Sequence, residues 1–122
     1  MAGGNAMKEY RGIIVAEDLN NEELLKEIDI NNVRVIQSVR DKMTWHVLDV
    51  SVNREQIDEL SRSLKENRYM HFWKNKNVIA IFAGPKYFEF NYEDKSTWKS
   101  VLKYTDFLEI PRNKVDFSIT GL

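Results

Sequence analysis

Residues 69–74 read YMHFWK, and after a short turn residues 77–90 continue as NVIAIFAGPKYFEF. The first run gathers Tyr69, His71, Phe72 and Trp73 into one short segment. Successive side chains of a strand point to opposite faces. Met70 and Phe72 therefore form one set, and Tyr69, His71 and Trp73 the other. A chain of 30% charged residues does not leave so aromatic a strand bare on both sides. The fold is decided by what covers each set.

The segment immediately upstream, NREQIDELSRSLKEN (53–67), is the clearest helix in the chain. Asn53 stands at the N-cap with Gln56 three residues on, which is capping-box spacing, and Ile57, Leu60 and Leu64 make one apolar stripe. Before it, NNVRVIQSVR and TWHVLDVSV both alternate and are joined by a tight connection at 41–42, so they read as a hairpin. Leu48, Val50 and Val52 share a face with His46, while Trp45, Val47 and Asp49 point the other way. EYRGIIVAED supplies a first strand. NNEELLKEIDI supplies a first helix, with Asn20 or Asn21 as cap and Leu24, Leu25 and Ile28 buried. NKN and Gly84-Pro85 make turns that split residues 69–90 into a three-stranded meander. The order strand, helix, strand, strand, helix, strand predicts an α+β fold: a ferredoxin-like (split βαβ) antiparallel sheet, extended by a C-terminal hairpin and a third helix.

That third helix is DKSTWKSVLKYTDFLEI, capped by Asp94 or Ser96, with Trp98, Val101, Leu102 and Thr105 on one face. Pro111 ends it. KVDFSIT alternates Val115, Phe117 and Ile119 and reads as a short edge strand. The first two helices cover Met70 and Phe72. Tyr69, His71, Trp73 and Trp45 then lie on the opposite face, where the third helix, led by Trp98, offers a cover. Residues 1–6 read as a disordered cloning remnant, and 7–122 as a single α+β domain.

Composition narrows the function classes. Eighteen basic residues stand against 19 acidic ones, for a net charge of −1, so no nucleic-acid partner is indicated. No apolar run approaches the roughly 20 residues of a membrane span, and the N-terminus lacks the pattern of a signal peptide. There is no cysteine, which excludes disulfides, thiolate nucleophiles and sulfur-ligated zinc. The default location is the cytoplasm.

The two histidines, His46 and His71, are the side chains that titrate near neutrality. A joint metal or acid–base site with Asp49 or Glu89 is disfavoured. The two fall on different strand faces, lack helical H-x-x-x-H spacing and have no third ligand. No metal site and no cofactor are predicted. There is no glycine-rich phosphate loop, no G-x-S-x-G and no RRM-type aromatic signature. Glu89, Glu93 and Asp94 fit compensation of a helix dipole.

HFWKNKNVIAIF, DKSTWKSVLKY and IPRNKVDF, in roughly the C-terminal half, together resemble a group of small prokaryotic proteins with no assigned activity. The resemblance implies a shared small α/β fold and carries over no catalytic residue. The order of strands and helices is also similar to that of amino-acid-binding regulatory domains. Those domains bind at a glycine-containing turn after the first strand, and VAEDLNNEEL has no glycine.

Two readings of function follow. The first is a non-catalytic binding or self-association module that uses an aromatic sheet face or cleft built from Trp45, Tyr69, His71, Trp73 and Trp98. Its partner is a small-molecule ligand or, in a homodimer, a second copy. The second is a small enzyme with His71 as general acid/base in that cleft. Deleting residues 1–6 is expected to leave the melting temperature unchanged, because they hold no apolar anchor. A clear fall in a thermal melt would show that the segment docks.

Overall fold

The computed structural model describes residues 8–40 and 42–119. The reading of residues 1–6 as a disordered remnant lies outside them, as does Asp41 of the hairpin connection. Strands β1 (Tyr10–Val15), β2 (Asp29–Ser38), β3 (Met43–Val52), β4 (Tyr69–Lys74), β5 (Asn77–Phe82) and β6 (Lys86–Asn91) form one open sheet in the order β2-β3-β1-β4-β5-β6. Every neighbouring pair is antiparallel. Helices α1 (Arg54–Ser63) and α2 (Lys99–Phe107) lie in the connection from β3 to β4 and after β6. The α+β class and the meander β4-β5-β6 are as the sequence predicts.

α1 begins where its cap requires. The Asn53 side chain accepts from the Gln56 N–H at 2.8 Å, and the Gln56 side chain accepts from the Asn53 N–H at 3.0 Å. Two donors that the first turn would leave bare are thus satisfied together. The far end of the helix is tied back to the loop after β1. The Asn20 N–H donates to the Ser63 carbonyl at 2.7 Å, and the Lys65 N–H to the Asp18 carbonyl at 2.9 Å.

The first helix departs from expectation. Residues Glu22–Glu27 form a 3₁₀ helix, capped by Asn21, in which Leu24 and Leu25 are only half-buried. It is too short to present a full α-helical stripe, and α1 supplies most of the cover on that side. Ile57, Leu60 and Leu64 pack with Ile14, Leu48, Val50, Val52, Met70, Phe72, Ile79 and Ile81.

The opposite face holds a second core, of Trp73, Val78, Ala80, Phe82, Phe90, Trp98, Val101 and Phe117. Strand parity divides the two cores as read from the sequence. The third helix opens with a 3₁₀ turn, Lys95–Trp98, capped by Asp94, and passes into α2. Trp98 donates its indole N–H to the Asn91 carbonyl at 2.8 Å while its ring meets Phe90 and Phe117.

The C-terminal tail is the second departure. Residues 115–119 form no strand. They cross the second face rather than extend an edge, because Phe117 buries itself among Tyr69, His71, Phe90 and Trp98. Filling that aromatic layer buries more apolar surface than an edge pairing would. Replacing Trp98 by Ala should therefore cost about 3–5 kcal/mol, the range for truncating a buried aromatic. Urea unfolding measures it, and a loss under about 1 kcal/mol would mean that α2 does not hold the second core.

Candidate functional site

β4 positions His71 on the second face with only 6% of its surface exposed. The imidazole stacks on Trp73, with centroids 5.4 Å apart and planes 27° apart, and Phe117 meets it edge-on. Nε2 lies 2.6 Å from the Ser118 carbonyl. A carbonyl only accepts, so Nε2 carries the proton and donates, and Nδ1 is left with its lone pair. Nδ1 has no hydrogen bond from any described residue. No buried side-chain nitrogen or oxygen among the described residues lacks a partner, and His71 is among the residues that line a cleft.

The cleft, of about 420 Å³, lies between the ends of β1 and β4 and the tail. Ile13, Val15, Met70 and Ile110 give it an apolar lining, and His71, Tyr69, Asn67 and Ser118 give it polar groups. Its charged residues are Arg34, Arg68, Lys114, Asp18 and Asp116.

The tail is clamped over the cleft by polar contacts. The Tyr69 hydroxyl donates toward the Lys114 carbonyl at 2.9 Å and accepts from the Asp116 N–H at 2.6 Å. Burial raises the Tyr69 pKa above its ordinary value, so the phenol stays protonated and able to donate. Asp116 takes hydrogen bonds from the Ser118 hydroxyl and, at 2.9 Å, from the Ser118 N–H. Those bonds hold its carboxyl below the usual range. On the far wall Asp18 pairs with Arg68 at 3.0 Å. Desolvation nevertheless outweighs that pairing and raises the Asp18 pKa. Arg34 and Lys114 form no ion pair with any other described residue.

The structure gathers some of the sequence-predicted site residues and scatters others. Tyr69, His71 and Trp73 share the face, but Trp73 is buried beneath the imidazole rather than walling the cleft. Trp98 belongs to the aromatic core and does not line the cleft. Trp45 pairs with Ile36 toward the far end of the β2–β3 hairpin, beyond the last β1–β3 pair at Val15 and Val47. The expected tryptophan-walled cleft is instead an aliphatic and charged one.

His46 lies on the α1 side, where Nδ1 is 2.6 Å from Glu17 and its N–H donates to the same carboxylate at 2.8 Å. The two histidines share no site. Arg34, Arg68, Lys114, Asp116 and Ser118 were missed by the sequence reading. They come from three separate segments with no common spacing, and only the path of the tail brings them together.

Compared with known proteins, the chain matches no family model, no curated protein and no solved structure. Among the described residues, no helix is long and apolar enough to cross a membrane.

Burial pushes the His71 pKa below its ordinary value, against the opposing pull of the Ser118 carbonyl and Asp116. The unfolded chain then binds this proton more readily than the folded one. The His71 contribution to stability is complete above about pH 6.5 and is lost as pH falls from there through the lower folded value. Thermal melts should show stability decreasing over that window in the parent and a shallower decrease in His71→Gln. A His71 ring that titrates at or above pH 6.5 by NMR would contradict the buried, neutral imidazole.

Proposed function

We propose that this chain is a non-catalytic binding domain that holds a small polar molecule in the cleft beside His71. The strand order β2-β3-β1-β4, with its two helical connections, supports a ferredoxin-like reading of the first part of the sheet. The binding proposal rests on one observation. A nearly buried histidine that lines a 420 Å³ cleft has one nitrogen pinned to the Ser118 carbonyl and the other without a hydrogen bond from any described residue.

A neutral Nδ1 accepts, so the ligand brings an O–H or N–H donor. Arg34 and Lys114 supply positive charge that no other described residue pairs, so the same ligand carries an acidic group. A few polar groups at the mouth of an apolar-lined cavity are the usual composition of a small-ligand site. Small hydroxy or amino acids combine these features.

The alternative is a small enzyme with His71 as general acid/base, favoured by the fixed tautomer, since an oriented imidazole is what such chemistry uses. Against it, Tyr69 is committed to the tail backbone and the Ser118 hydroxyl to Asp116. Neither is an activated nucleophile.

A thermal-shift screen of small hydroxy and amino acids is expected to find a compound that stabilises the parent in proportion to ligand excess. Arg34→Ala should weaken its binding about tenfold, the loss of one charge-assisted hydrogen bond. His71→Gln should lower affinity without abolishing it, since the amide still offers an acceptor. No stabilisation by any compound would sink the binding proposal. Conversion of a bound compound at a rate abolished in His71→Gln would establish the enzyme instead.

A further inference from the structure

The two edges of the sheet are treated differently. β6, of six residues, is guarded: Lys86 reaches over the Phe88 and Tyr104 rings, and Glu89 is bonded to Arg54 at 2.8 Å. Lysine and paired charge on an edge are common means of keeping other strands away. β2, of ten residues, has its irregularity between Ile30 and Asn32 and its paired charge at Asp29, both at its start, and from Val33 to Ser38 it carries neither lysine nor paired charge. Nine of its residues are exposed and the tenth is half-buried. Ile30, Val33, Val35 and Ile36 are exposed on it, and Val39 and Met43 follow at the hairpin tip. Its outward edge has no neighbouring strand. It carries only two charged side chains, of which Asp29 is already met by Lys8 at 3.0 Å.

We propose that β2 pairs antiparallel with β2 of a second copy of this chain, about a two-fold axis at Val35. The occupant is argued from charge as well as from apolar exposure. Glu27 lies just before β2, and the basic residues Arg40 and Lys42 lie between β2 and β3. Glu27, Arg40 and Lys42 form no ion pair with another described residue. An antiparallel copy brings the acidic end of each strand to the basic tip of the other, twice. A parallel copy would set like against like.

The choice of Val35 as centre follows from its exposure, the greatest among the large apolar residues of β2. It sets Arg34 opposite Ile36 and Val33 opposite Gln37, so neither arginine faces its own copy. Val35, 59% exposed, then meets its own mate on the α1 side. The pairing is closed, leaves no further β2 edge and stops at a dimer. Both His71 clefts come to lie on one side of a continuous sheet. The dimer does not depend on the binding proposal.

Because the chain has no cysteine, single cysteines report the geometry directly. Opposed residues of an antiparallel pair have Cα atoms about 4.5–5.5 Å apart, within disulfide reach. With Val35 at the axis, the two copies of residue 30 or 39 are displaced along the strands by about 27 Å or more, at roughly 3.4 Å per residue.

Sedimentation of the full chain is expected to give a dimer. Val35→Cys should cross-link under mild oxidation, whereas Ile30→Cys and Val39→Cys should not. Val35→Lys should weaken the dimer by about tenfold or more, with an unchanged circular dichroism spectrum. A monomer at every accessible concentration overturns the proposal. So does a dimer in which the cysteine at 35 fails to cross-link, or in which one at 33 or 37 cross-links in its place. If Val35→Lys does not fold, the cysteine series still decides.

Discussion

The sheet turns on a single missing side chain. β1 joins the β2–β3 hairpin to the β4-β5-β6 meander, and its pairing with β4 is only three residues long: Arg11 with Trp73, Gly12 with Phe72 and Ile13 with His71. A Cβ at Gly12 would stand 2.2 Å from Phe72 Cδ1 and 2.7 Å from Cε1. The Phe72 ring therefore occupies the space that any other residue would need, and it is fully buried there. Because Phe72 faces α1, strand alternation sends its neighbours His71 and Trp73 to the other side. The seat of one ring thus fixes the position of the candidate site.

Much of this was legible in residues 69–74. Alternation separated Met70 and Phe72 from Tyr69, His71 and Trp73, and the two cores observe that division. The capping box at Asn53 and the stripe of Trp98, Val101 and Thr105 were equally local and equally readable. What failed was of two kinds. NNEELLKEIDI has helical residue choice, yet it bridges too short a gap for full α turns and settles as a 3₁₀ helix. KVDFSIT alternates like a strand, but alternation reports burial and not hydrogen bonding, and its alternate residues turn toward a core instead of an edge.

The cleft was the least legible feature. His71 was singled out because imidazoles are few, not because its partners were visible. Ser118 lies 47 residues away and contributes a backbone carbonyl, which no side-chain pattern encodes. Trp45 and Trp98 were drawn in by aromatic character, whereas a well-packed aromatic is spent on core contacts and leaves the cavity wall to aliphatic and charged side chains. The charged residues that do line the cleft were indistinguishable in sequence from ordinary surface residues.

A buried histidine is tolerated here because its demand for hydrogen bonds is divided. The tail satisfies the donor nitrogen, and the cleft leaves the acceptor to solvent or ligand. The tail that holds Nε2 is in turn held by Tyr69, whose hydroxyl serves two tail carbonyls and one tail N–H. Tyr69 and His71 are two residues apart on the same face of β4, so one short strand secures both the lid and the group beneath it. Loosening the tail would wet His71 and uncover Phe117 together, which couples the polarity of the cleft to the integrity of the second core. A molecule that bridged Nδ1 to Lys114 on the tail would oppose that loosening. The polarity of the cleft and the stability of the aromatic layer are therefore expressions of one set of contacts.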